Sequence, residues 1–140
     1  MSFREKSTWI SFLLTLVGFG FYFVSVLRQL IWPVHPHRNF FMLFVALLLL
    51  IIVLNVVLHA IAAARAPADA RTPQDERERM ISLKAKRPAF YVVMTGSFLS
   101  VGIIHLNVGP WPIINAVLFS VWLGQLTNYG AQLYYYRRET

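Results

Sequence analysis

The chain has 140 residues, 57% of them hydrophobic and 14% charged, with a net charge of +7 and no cysteine. A soluble domain carries roughly 25% charged residues, so this chain lacks the charge to cover a water-facing surface, and its apolar excess has to face lipid. The missing cysteine excludes disulfides, thiolate metal sites and cysteine nucleophiles, and the length fits a single domain.

Three runs contain no Asp, Glu, Lys or Arg: 21 residues at 7–27, 26 residues at 39–64 and 49 residues at 88–136. A helix needs about 20 apolar residues to cross about 30 Å of hydrocarbon. The first two runs hold one span each. The third holds two, broken at Asn107-Val108-Gly109-Pro110-Trp111-Pro112. The expected fold is therefore all-α: one integral membrane four-helix bundle with spans at 7–30, 39–64, 88–106 and 112–136. A short cytoplasmic amphipathic helix is expected between the second and third spans.

The first helix starts after Arg4 and Lys6, which suits a signal peptide. Its apolar stretch is too long for one, however, and no small-residue cleavage site follows, so a retained span is expected. Ser11, Thr15, Gly18, Tyr22, Ser25 and Gln29 advance by four and three, which places them in one stripe. Small and hydroxyl-bearing residues let helices approach closely in lipid. The stripe reads as a packing seam; a homodimer seam or polar conduit is the alternative. The loop Trp32-Pro33-Val34-His35-Pro36-His37-Arg38 is stiffened by its prolines.

The second helix is aliphatic through its centre, interrupted by Asn55, which shares a face with His59 and Ala62. An amide at that depth turns inward to a partner. The segment 65–87 follows in two halves. Ala66–Arg71 reads as linker, and Thr72 and Pro73 read as the cap and first position of a helix ending at Arg87. Acids fill its first turn and bases its last, complementing the helix dipole. Met80, Leu83 and Arg87 with Ile81 and Ala85 form its apolar face, and Pro88 suggests a bend.

The third helix places Gly96, Ser100 and Asn107 on one face. The fourth carries Gln125, Asn128 and Gln132 on one side, then ends in Tyr134-Tyr135-Tyr136-Arg137-Arg138, an aromatic belt followed by snorkelling cations.

With four spans, both termini and 65–87 share one side, which holds 11 of the 13 basic residues; the other has Arg28 and Arg38. By the positive-inside rule the 11 are cytoplasmic. The positive excess thus reflects topology, aimed at anionic inner-leaflet lipids and not at nucleic acid.

Asp75-Glu76-Arg77, then Ile81 and Lys84, then Tyr91 heading an apolar helix, resembles a pattern in small prokaryotic four-helix membrane proteins of an uncharacterised family. The resemblance covers about 75–99; a bacterial inner-membrane location is expected. Some of those proteins are encoded beside small helix-turn-helix regulators, which implies a regulatory role. Pro88 departs from the pattern, which puts a straight connection into the third helix in question.

Chemistry is sparse. His35, His37 and His105 are weak metal candidates on one side, with no carboxylate there to complete a site. No charged residue lies at mid-depth in a span, which counts against ion-coupled transport. The serines have no His–Asp pair near them, and no nucleotide motif is present. Neither cofactor nor enzymatic activity is expected. The expected function is that of a regulatory or interaction protein, binding a protein partner through Asp75, Glu76, Arg77, Lys84 and Arg87 or forming a homo-oligomer by helix contacts. The alternative is a small transporter or channel subunit, lined by the Ser11–Gln29 stripe or the Gln125–Gln132 face; an external histidine metal site is a third.

Overall fold

The computed structural model of the chain describes residues 2–32 and 39–138, and every regular element among them is helical. The order is α1 (Phe3–Ile31), α2 (Phe40–Arg65), α3 (Pro67–Arg71), α4 (Glu76–Gly102) continued by a 3₁₀ turn (Ile103–Leu106), and α5 (Pro110–Arg138). The proline-stiffened loop with His35 and His37 falls outside the described residues.

Side chains start the first two helices. The Ser2 hydroxyl accepts from the Glu5 N–H at 3.2 Å, and the Asn39 side chain accepts from the Met42 N–H at 3.2 Å. Each satisfies one of the donors a helix N-terminus leaves open.

The chain forms two compact units, residues 1–71 and 72–140. The first is a hairpin of α1 and α2 with the short α3. Its helices run antiparallel, since Ser11 meets Asn55 while Tyr22, three turns further along α1, meets Phe44, three turns back along α2. The second is a hairpin of α4 and α5. There Asn107, at φ 52°, and Gly109, at φ 82°, reverse the chain in left-handed conformations. Glycine adopts these freely and asparagine more readily than other residues. Asn107 is thus the residue that turns the chain, not part of a helix face with Gly96 and Ser100. α5 begins at Pro110, two residues before the expected start. Pro112 is accommodated because the first N–H groups of a helix have no intrahelical partner.

The middle segment differs most from expectation. Part of the expected linker is helical, as α3. The cap of the next helix is Asp75, not Thr72, and its carbonyl accepts from the Arg79 N–H at 2.9 Å. No separate cytoplasmic helix follows. Residues 76–102 form one α-helix with Pro88 inside it. Pro88 has no N–H to give the Lys84 carbonyl, and α4 continues because its flanking turns are packed on α5. Of the expected apolar face, Ile81 and Ala85 are completely buried, whereas Met80 and Leu83 are half exposed.

Burial runs opposite to that of a water-soluble protein. Thr8, Ser11, Thr15, Ser100, Asn115 and Ser120 are buried, while Val17, Val24, Leu30, Phe98 and Leu99 are well over half exposed. α1, α2 and the helix through residues 76–106 are long and apolar enough to cross a membrane. α5 is as long as α1, and no charge precedes its Arg137. Asn115, Gln125, Asn128 and Gln132 lower its hydropathy, and it is not among the three. The chain is an integral membrane protein.

Candidate functional site

Three arrangements hold the chemistry: a polar seam in the first hairpin, a small-residue seam in the second, and a charged extension of the second beyond its charge-free core.

In the first hairpin the seam is a ladder across α1 and α2. Ser7 Oγ lies 2.5 Å from His59 Nε2, and Ser11 Oγ donates to Asn55 Oδ1 at 3.2 Å. The second His59 nitrogen, Nδ1, is 2.7 Å from the Asn55 carbonyl. A carbonyl can only accept, so Nδ1 carries a proton, and in the neutral ring Nε2 is then the acceptor for the Ser7 hydroxyl. Buried Thr15 follows, then Gly18 against Ile51. Tyr22, fully buried, packs its ring 5.4 Å from that of Phe44. Ser25 bonds back to the Phe21 carbonyl at 2.8 Å. Ser25 and Gln29 are half-buried.

Ser7 and its bond to His59 were missed by sequence reasoning. A signal existed: Ser7 lies one turn before Ser11, as His59 lies one turn after Asn55, so an antiparallel pair joining the second two brings the first two together. The fold thus places a base beside a serine. The group that orients the imidazole is a backbone carbonyl, where a hydrolytic triad has a carboxylate.

In the second hairpin the contacts are between small residues. A Cβ on Gly96 would strike Ser120, lying 2.6 Å from its Cβ. One on Gly124 would strike Val93 Cγ2 and lie 3.3 Å from the Ala89 carbonyl oxygen. Ser100 and Ser120 are buried, and each hydroxyl donates to the carbonyl one turn back, Gly96 and Ala116, at 2.7 and 2.8 Å. On α5 the seam is the small-residue run Ala116, Ser120 and Gly124 at four-residue spacing, a readable packing signal that the more conspicuous amides masked. Gln125 is exposed, and Gln132 donates to Asn128 at 3.3 Å along the helix.

The charged extension is the N-terminal three turns of α4. Asp75 caps it, and Glu76, Arg77, Arg79, Lys84, Lys86 and Arg87 are exposed. It is anchored from beneath. Ile81 and Ala85 are buried on the α4 side, and Leu133 and Tyr136 on the α5 side. The pairing of Gly96 with Ser120 and of Val93 with Gly124, continued along an antiparallel pair, brings these four to the same end. The extension is therefore a continuation of the hairpin, held in place by these buried side chains. Beside it an open cleft of about 580 Å³ is lined by Leu83, Lys84, Arg87, Pro88, Tyr91 and Tyr135.

Residues 5–140 match the model of a family described as predicted membrane protein (DUF2178). The chain belongs to this family. No curated protein and no solved structure matches it. Membership of DUF2178 accords with the membrane character seen in the helices and agrees with the expected relation to an uncharacterised membrane family. The Asp75-Glu76-Arg77 pattern forms the cap and first turn of α4 in this DUF2178 member. His105 is exposed in the 3₁₀ turn; its expected companions His35 and His37 lie outside the described residues. Among the described residues no three His, Cys, Asp or Glu side chains group to hold a metal.

Proposed function

We propose that this protein crosses a bacterial inner membrane four times, with both termini and residues 65–87 cytoplasmic, and acts without chemistry of its own. Its role is regulatory, exercised by binding a protein partner through the exposed charged face of α4. The observation that carries this reading is the continuity of α4. One helix presents Glu76, Arg77 and Arg79 at its outer end and runs unbroken into the charge-free segment. A loop displaying the same charges would have no fixed register, whereas this surface is held by buried Ile81 and Ala85. The fourth crossing is supported by the seam: α5 lies along α4 through Ser120 and Gly124, so where α4 crosses, α5 crosses with it. The orientation is supported by the 11-to-2 distribution of basic residues.

The test is charge exchange at Glu76→Lys with Arg77→Glu, which leaves net charge unchanged and touches no buried residue. A partner cross-linked in cells through a photoreactive residue at position 79 should be lost, with detergent melting unaltered. Unchanged cross-linking would overturn the reading.

Exposed Gln125 on α5 favours a second reading, a channel or transporter subunit active as an oligomer. Solute movement in proteoliposomes that is lost with Gln125→Leu would establish it in place of the first. The Ser11–Gln29 stripe is a weaker candidate lining, since Ser11, Gly18 and Tyr22 are engaged with α2.

A further inference from the structure

The cleft beside the charged extension has a composition and a depth that point to one ligand. Two of its six lining residues, Lys84 and Arg87, are cationic and exposed, and no carboxylate is among its described lining residues. Pro88 is the first residue of the 49-residue charge-free run, so the cleft straddles the boundary between hydrocarbon and headgroups. Tyr91 and Tyr135 complete the wall, and tyrosine concentrates at that boundary because its ring is apolar and its hydroxyl polar. One to two turns further in, α4 presents exposed apolar side chains, Met94, Phe98 and Leu99.

We propose that this cleft is a binding site for the headgroup of an anionic phospholipid. The Arg87 guanidinium takes two phosphodiester oxygens in its planar fork, and the Lys84 ammonium adds a second charge. The Tyr135 hydroxyl donates to a headgroup oxygen, and the acyl chains lie along the exposed apolar face of α4. A soluble phosphate compound shares the phosphate chemistry. Lipid is the occupant argued for, because the cleft opens at membrane depth and continues into apolar surface. The site rests on the membrane placement of α4 and not on the protein partner proposed above. Its test accordingly changes Lys84, Arg87 and Tyr135, which the partner test leaves alone.

The experiment is native mass spectrometry of the full chain in detergent, titrated with phosphatidylglycerol or phosphatidylcholine. Wild type should retain phosphatidylglycerol preferentially. Lys84→Gln with Arg87→Gln should weaken that retention about thirtyfold, given the attraction of each of the two basic residues near an anionic surface. Tyr135→Phe should weaken it less. Arg77→Gln with Arg79→Gln removes the same charge outside the cleft and should change retention less than twofold. Equal losses in both double variants, or equal retention of the two lipids, would overturn the site. So would displacement of phosphatidylglycerol by millimolar inorganic phosphate, which would make the occupant a soluble phosphate. Loss of partner cross-linking with lipid retention intact would bear on the partner surface alone.

Discussion

The two hairpins solve one problem in different ways. In lipid, burying apolar surface gives helices no reason to associate, so each pair needs another source of attraction. The first hairpin reaches across: Ser7 bonds to His59 and Ser11 to Asn55, from one helix to the other. In the second, Ser100, Ser120 and Thr127 each donate to a carbonyl of their own helix, which leaves smooth surfaces that meet at Gly96 and Gly124. One pair is specified by polar partners at fixed heights, the other by shape. Specification by shape tolerates change in polarity and resists change in volume; specification by bonds does the reverse.

The largest effect should come from volume in the second hairpin. Gly124→Leu drives a side chain into Val93 and toward the Ala89 carbonyl, and backbone cannot move aside as a side-chain end can. The expected cost is about 1–3 kcal/mol, read as a shift in dodecyl sulfate unfolding in mixed micelles. A cost near zero would mean that the seam is looser than its contacts indicate.

Gly18→Leu is the matched change in the first hairpin and should cost less. The atoms its Cβ meets are Ile51 Cδ1 and Cγ1, at 2.5 and 2.7 Å, the end of a side chain that can turn. Val17→Leu, one position away and facing outward, should melt as wild type does. If Gly18→Leu matches Gly124→Leu in cost, the distinction between bonded and shaped seams fails.

The polar rungs supply the smallest effect. A double-mutant cycle of Ser11→Ala and Asn55→Leu should yield a coupling of about 0.6 kcal/mol, the usual size for such bonds in membrane proteins. Ser120→Ala, which loses only a bond to its own helix, should change stability by less than about 0.5 kcal/mol. A larger effect at Ser120 than at Ser11 would reverse the assignment of the two mechanisms.

Much of this was legible in the residues. Charge-free runs located α1, α2 and the apolar part of α4, because nothing else in a short chain explains 21 to 49 residues without charge. Glycine and proline near 109–112 located the tight reversal. Pro88 misled because its local effect, one missing backbone bond, reads as a break in sequence; the burial of Ile81 and Ala85 against the end of α5 is a tertiary contact that sequence does not display. Thr72 misled in the same way, as a good cap for a helix that starts three residues later. The α5 seam was obscured because amides stand out in an apolar helix, whereas the small residues that fix its packing do not. Tyr135 read as part of a belt, and its place in a cleft with Arg87 emerges only when α4 and α5 are aligned.

The unbroken course of α4 also has a mechanical consequence. Twenty-seven residues at 1.5 Å each make a rod of about 40 Å, with Pro88 near its middle. The missing backbone bond there makes that turn the most compliant point of the rod. The two arms, about 18 Å outside and 21 Å inside, are nearly equal. A sideways load on Glu76 is therefore taken up first as a bend at that turn, while the inner arm stays seated on α5 through the glycine contacts.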